Sequence, residues 1–310
     1  MVDVVVTIPT FRRPLWLARL LRALEQLETS ASVSILVADN DAARHEGADV
    51  CAALTAEGYR WPLRTIVVAE RGLSQVRNAL FAEVLESPGD DQFIAMLDDD
   101  EWPVVDWLES YLKVQRETGA DVVQGPVICQ FESRPSAIVE LANTVFPPRL
   151  GSGAIDLVEA GGNVLLRRSC LSRLAAPWFD AKLDLAGGED KDFFLRLRAL
   201  GVSFAWAADA IAYTSIPASR MSRRWALLRG FRSGNTDMRM KLKYEPGAGT
   251  VAKESAKIIG ALVLTPLWFL AFAGRAKQRA RASYVFARTL GKIGASFGAE
   301  YLEYRKTHGV

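Results

Sequence analysis

Four consecutive acidic side chains, Asp98, Asp99, Asp100 and Glu101, follow the apolar run Gln92 to Leu97. Carboxylates packed this closely raise one another's pKa, so a run of them at a strand end cannot stay ionised cheaply unless a cation intervenes. Mg²⁺ or Mn²⁺ is the natural partner. Such hard ions take oxygen ligands, and a site with only one or two carboxylates leaves coordination positions for a substrate diphosphate. The competing reading is a solvated acidic turn. A second acidic pair, Glu189 and Asp190, follows Gly187 and Gly188 and precedes an amphipathic stretch. Its bland reading is a helix N-cap favoured by the macrodipole, which explains the acidity but not the surrounding pattern. His45 and His308 are too few and too isolated for an imidazole metal site or a histidine-based triad.

The elements that must position these groups are legible from periodicity. The bursts Val2 to Ile8, Ser34 to Ala38 and Thr65 to Ala69 alternate with helical stretches and predict a βαβαβ opening. In the predicted helix Pro14 to Leu27, Leu15, Ala18, Leu21 and Leu24 recur at three-residue steps behind a proline in the first turn. Gln92 to Leu97 is a fourth strand, and continuous apolar strands of this kind suit a sheet covered on both faces, whose strand ends border a ligand crevice. Trp102 to Thr118 reads as helix, and Asp121 to Cys129 and Gly162 to Leu166 as strands. Phe193 to Leu200 reads as a short helix closed by Gly201, and Val202 to Ala207 as a last strand. The fold class is therefore α/β with a mixed, mainly parallel sheet, and the body ends near Pro217.

Charge is distributed unevenly. The net +2 hides about 20 basic and 31 acidic side chains before Arg220, against about 18 basic and 5 acidic from there on. A basic tail that also holds an apolar run points to an anionic membrane surface rather than nucleic acid. Cys51, Cys129 and Cys170 are widely spaced and odd in number, which suggests neither a disulfide framework nor a thiolate zinc site and fits a reducing cytoplasm. The chain opens on a strand-like run without the charged and apolar regions of a signal peptide, which places the bulk inside the cell.

The segments VVVTIPTFRRP, LVADND, ERGLSQVRNAL, FIAMLDDDEWP, GGNVLLRRS and GGEDKDFFLRLRALG occur in an order and spacing that resemble family 2 glycosyltransferases over about residues 2 to 235. FIAMLDDDEWP followed by Trp107 and Leu108 looks especially like bacterial members that build exopolysaccharide repeat units on a lipid carrier. The resemblance implies a GT-A, Rossmann-like nucleotide-diphospho-sugar transferase fold over 1-218 and a basic, partly apolar helical region over 219-310. It also implies an inverting, metal-dependent transfer from a UDP-, GDP- or dTDP-sugar to a lipid-linked sugar acceptor.

Carried over residue by residue, the resemblance puts Thr7, Pro9 and Thr10 under the nucleoside and Asp39 on the base, with Arg71 and Arg77 flanking the nucleotide. For Arg77 and Asn78 a structural role, fastening the helix after Gly72 to the sheet, stands beside this. Asp98 and Asp100 match the family's DxD motif, Asp100 toward the metal and Asp98 toward ribose or metal, with Asp99 in the variable position. Asp190 matches the base that takes the acceptor hydroxyl's proton, and Glu189 would bind acceptor or orient the base. Arg220, Arg223 and Arg224 are candidates for neutralising the departing diphosphate. Many relatives carry a histidine after the last strand and a QxxRW-like element; Tyr213 to Ser215 lack the histidine and MSRRW lacks the glutamine, which argues against a processive polymerase. Gly161 and Gly162 fall short of a dinucleotide fingerprint, and their expected use is close approach to sugar or acceptor.

Ile258 to Gly274 is uncharged and mostly apolar between basic flanks, Lys253 and Lys257 before and Arg275, Lys277, Arg279 and Arg281 after. A single span would leave one basic flank outside, and Pro266 would interrupt it, so a shallow re-entrant or interfacial helix pair is expected. Phe286, Leu290, Ile293, Phe297 and Tyr301 repeat as in a helix lying on a bilayer at the cytoplasmic face of the inner membrane. The alternative is helices docked on the enzyme's own core. A nucleotidyltransferase would want a glycine-rich triphosphate loop, which TIPTFRRP lacks, and a haloacid-type phosphatase a DxDxT motif, which LDDDEWP lacks. A non-catalytic, membrane-associated nucleotide-sugar-binding scaffold stays open, as does a homo-oligomer.

Overall fold

The computed structural model describes residues 2–86, 92–144, 151–158, 160–184 and 187–299. The first half alternates strand and helix: β1 (Asp3–Thr10), α1 (Pro14–Glu25), β2 (Ser32–Asp39), α2 (Glu46–Ala56), β3 (Leu63–Val67), α3 (Leu73–Glu86) and β4 (Phe93–Met96). There follow β5 (Glu101–Pro103), α4 (Trp107–Thr118), β6 (Val122–Gln124), β7 (Val127–Phe131), α5 (Ala137–Asn143), β8 (Gly153–Ile155) and β9 (Val164–Arg167). The chain continues with α6 (Glu189–Ala199), β10 (Phe204–Trp206), β11 (Ala212–Ile216), α7 (Arg223–Tyr244), α8 (Ala248–Ala271) and α9 (Ala276–Ser296).

Eight strands form one sheet in the order β3-β2-β1-β4-β9-β6-β10-β8, and β5-β11-β7 form a second. In the large sheet β3, β2, β1 and β4 run parallel, whereas β9 is antiparallel to both its neighbours. The expected mixed, mainly parallel sheet is therefore present. Both its faces are covered, because successive side chains of a strand point to opposite sides. Val4, Val6 and Ile8 join the core under α1, α2 and α4, and Val5 joins the core under α3 and α6.

Several local expectations are corrected. Leu15 is 82% exposed, and α1 instead buries Leu17, Leu20, Leu21 and Leu24. At about 100° per residue, nine residues turn Leu15 to the side opposite Leu24, so a strict three-residue step cannot hold one face. The stretch from Trp102 is not helical until Trp107, since the residue before Pro103 is forced extended and Trp102 pairs with Tyr213 across β5 and β11. Asp121 to Cys129 is two strands in different sheets, separated at Gly125 and Pro126. The last strand is β11, not Val202 to Ala207, and α6 starts at Glu189, four residues before Phe193, on a Gly188 N-cap with φ +105°.

The C-terminal helices differ too. Pro266 lies inside a continuous α8, where the hydroxyl of Thr265 donates to the carbonyl of Ala261 at 2.6 Å. Among the described residues α8 is the one helix long and apolar enough to cross a membrane, and 11% of its apolar window is buried. α9 exposes Phe286 and Leu290, and Phe297 is exposed just after its last residue; Tyr301 and His308 lie outside the described residues.

The α1 register yields a paired test: Leu20→Ala should cost about 2–5 kcal/mol in urea unfolding and Leu15→Ala less than about 0.5. Equal losses would show that the helix is rotated from this placement.

Candidate active site

The acidic run leaves the C-terminal end of β4, the strand at which the order of the large sheet turns from the parallel half to β9. A ligand crevice is expected at such a switch point. Thr7 and Pro9 from β1, Arg77 from α3, Met96, Leu97 and Asp98 from β4, and Gly161 line a small recess there.

Arg77 organises the site. It is 2% exposed, and its guanidinium donates to Asp98 at 3.0 Å and to Asp190 at short range, with Glu189 at 3.8 Å. A buried guanidinium loses hydration worth several kcal/mol, which only partners of opposite charge offset. Three carboxylates from two distant segments supply it. α6 starts at this point, so Glu189 and Asp190 occupy its first turn, where the backbone N–H groups favour negative charge. The Gly161 amide donates to Asp190, and a Cβ on Gly161 would stand 2.6 Å from that carboxylate.

A second cation group holds the rest of the run. Asp99 is buried and accepts from Thr10 Oγ1 at 2.9 Å and from Arg13 at 2.8 Å. Asp100 lies 3.8 Å from both Arg13 and Arg220. Glu101 is buried, with its Oε2 accepting from the Asp98 amide at 3.2 Å. Six carboxyl groups thus face the guanidiniums of Arg13, Arg77 and Arg220, with Arg232 near Glu189 and Asp190, and burial of the remaining negative excess shows in their pKa values. Burial, with Asp98 and Asp100 nearby, pushes Glu101 well above the usual range. Burial raises Asp99 to about 6 against the pull of Arg13, and Asp100 and Asp190 rise with it. Burial and the neighbouring Asp190 raise Glu189 to about 7, and its Oε2 has no hydrogen-bond partner.

This excess suits a divalent cation. Among the described residues no group of three or more His, Cys, Asp or Glu is placed to hold a metal ion by itself. Asp98, 37% exposed at its side chain, lines the recess, and Asp100 is 14% exposed between Arg13 and Arg220.

The remaining sequence-derived residues divide. Thr7 is buried on the recess floor, its hydroxyl on the Ala95 carbonyl at 3.3 Å, and Thr10 is spent on Asp99. Asp39 is fully buried and accepts from the amides of Asp41, Gly47 and Ala48 at 2.9 to 3.0 Å, so in this state it caps α2. Arg71 is exposed at the rim, over the Phe11 ring at 4.6 Å. Arg220 reaches the acidic run, whereas Arg224 is exposed on the first turn of α7. Asn78 does fasten α3, to both backbone groups of Phe179 rather than to the sheet.

Arg13 and Asn163 are given no role by the sequence, and Glu101 none beyond its place in the acidic run. Asn163, at φ +51°, is fully buried; it accepts from Trp107 Nε1 at 2.6 Å and Tyr111 OH at 2.9 Å and donates to the Pro126 and Ala210 carbonyls. It thereby pins the Gly161–Gly162 turn behind Asp190. A polar residue directly after two glycines was its only visible signal.

The class of protein that carries this sheet and this acidic cleft is given by comparison with known proteins. The fold matches the mannosyltransferase PcManGT of Pyrobaculum calidifontis, solved with GDP-Man and Mn²⁺, at a TM-score of 0.63 and 16% identity over 96% of this chain and 88% of that one. It matches S. aureus TarS 1-349, solved with UDP, at 0.53 and 14% over 97% and 93%. These likenesses show the GT-A fold. The glycosyl transferase family 2 model matches residues 5–172. Over 239 residues the chain is 35% identical to the succinoglycan biosynthesis protein ExoM of Rhizobium meliloti (strain 1021), covering 74% of this chain and 72% of that protein. The chain belongs to glycosyl transferase family 2 and is a glycosyltransferase.

Glu189 gives a signed pH test. Its pKa in the folded protein is raised, so ionisation opposes folding: no cost below the ordinary glutamate range, growing cost as pH rises toward about 7, and full cost above. Glu189→Gln should therefore stabilise the metal-free protein by about 1 to 3 kcal/mol at pH 8 and by almost nothing near pH 4.5, read by denaturant titration. A gain that is equal at both pH values would contradict the raised pKa.

Proposed function

We propose that the chain performs inverting, metal-dependent transfer of a sugar from a nucleotide-sugar donor, a UDP-, GDP- or dTDP-sugar, to a lipid-linked saccharide in the synthesis of a bacterial surface polysaccharide. The observation that carries this reading is the meeting of Asp98 and Asp190 across Arg77, 113 residues apart from Arg77 in the case of Asp190.

Asp190 takes the proton from the acceptor hydroxyl as that oxygen attacks the anomeric carbon opposite the leaving diphosphate. Burial supports the role, since it makes the carboxylate a stronger base than a solvated one, and the Gly161 amide and Arg77 fix its direction. Glu189 orients Asp190 or touches the acceptor. Asp98 and Asp100 hold Mg²⁺ or Mn²⁺, which when bound neutralises charge on the diphosphate. Arg220, and Arg224 from the next turn, steady the same departing charge. Thr7, Pro9 and Thr10 form the floor below the nucleoside with Arg71 at its rim, and Asp39 contributes to base recognition through the α2 cap it holds. The solved neighbours' GDP-Man, Mn²⁺ and UDP support this donor class.

The acceptor follows from the tail. Residues 219-310 act as a basic, partly apolar membrane-association region at the cytoplasmic face of the inner membrane. α8 exposes Ile259, Val263, Leu264, Leu267 and Leu270 at 57–71%. Such a face, flanked by Lys253, Arg275, Lys277, Arg279 and Arg281, suits an anionic bilayer. The succinoglycan relative supports a polysaccharide product.

Asp190→Asn should keep donor binding in calorimetry with Mn²⁺ and lose transfer by about 10²- to 10⁴-fold, whereas Asp100→Asn should lose metal-dependent donor binding. Wild-type transfer by either variant would refute its assignment. Leu264→Glu with Leu267→Glu should abolish co-flotation with phosphatidylglycerol-containing vesicles at unchanged melting temperature; unaltered flotation would remove the membrane role of α8.

A further inference from the structure

The first turn of α6 presents Glu189 and Asp190 to the cleft, and its next two residues are gripped from behind. Lys191 Nζ lies 2.9 Å from Asp237 on α7, and Asp192, 1% exposed, accepts from Tyr244 OH at 2.6 Å and from Lys243. Gly188, the N-cap, is pressed against α7 as well, since a Cβ there would stand 2.7 Å from Thr236. Asp237 has a second arm: its other oxygen pairs with Arg288 on α9. The three helices are held close at this level, because a Cβ on Gly234 of α7 would lie 1.9 Å from the Arg288 carbonyl. α9 in turn binds α8 through Lys292 and Glu254 at 2.6 Å.

We propose that Asp237 is a positioning residue for Asp190, the centre of a bracket Lys191–Asp237–Arg288 that sets the first turn of α6 from the C-terminal helices. The inference rests on the reading of Asp190 as the base. Lys191 follows Asp190 directly, so its ammonium fixes the rotation of the turn that aims the carboxylate at Arg77 and the Gly161 amide. The bracket reaches α8 through α9, which makes the arm that faces lipid continuous with the element that carries the base. The tail is then part of the catalytic apparatus rather than an appended anchor.

The test uses the full chain. In Asp237→Asn, hydrogen exchange should rise at least fivefold in a peptide spanning 188–195 and stay unchanged in one spanning β1. With whichever of UDP-glucose, UDP-N-acetylglucosamine, GDP-mannose or dTDP-glucose the wild type hydrolyses with Mn²⁺, kcat should fall at least tenfold at an unchanged donor KM, and Asp237→Glu should restore part of it. Arg288→Gln, which cuts only the outer arm, should produce the same pattern more weakly and serves if Asp237→Asn does not fold. A lowered melting temperature with unchanged exchange in 188–195 or unchanged kcat would make Asp237 a mere tie between helices and overturn the proposal. Asp190→Asn run alongside separates the two claims: full turnover there would remove the base assignment, while the exchange result would still report on the bracket.

Discussion

A single buried guanidinium is the constraint on which the site depends. Arg77 cannot sit at 2% exposure without anionic partners, and the partners it has come from the end of β4 and the start of α6. The same ion contacts that offset its desolvation also bring together the two carboxyl clusters of the cleft. Stability and chemistry are therefore coupled through one side chain, because breaking the group by removing one partner leaves charge buried without compensation.

That coupling explains the architecture around it. The parallel half of the sheet delivers Thr7, Thr10 and Asp98 to one edge, and reversal of direction at β9 places the Gly161–Gly162 turn opposite them. Close approach at Gly161 is what lets Asp190 enter the recess at all. Asn163 holds that turn as a buried polar hub, its side chain accepting from Trp107 and donating to two carbonyls while Tyr111 bonds its backbone carbonyl. Burial first, and neighbouring carboxylates after it, raise Asp99, Asp100, Glu101 and Glu189 together.

The C-terminal helices follow a different logic. α7 and α9 pack through glycine and alanine at close range and join α5 in a small apolar cluster of their own, so this region is neither free of the body nor swallowed by it. α8 is the part left uncovered. The expected interruption at Pro266 did not arise, because an exposed helix tolerates the loss of one backbone bond when a neighbouring hydroxyl and solvent satisfy nearby carbonyls.

By itself the sequence determined the βαβαβ opening, the α/β class and the identity of the two acidic clusters, because apolar periodicity and charge placement are local properties. It misplaced boundaries where a partner strand overruled local preference, as at Trp102, and misjudged the buried face of α1, where three-residue steps drift off a 3.6-residue helix. Only the tertiary structure decided that Arg77 bridges Asp98 and Asp190, that Arg13 holds Asp99, that Asp39 is turned onto α2, and that Asp237 ties α6 to α9. Each of these is a meeting of side chains from separated segments, whose energy depends on distance and burial, and neither quantity is written in the order of residues along the chain.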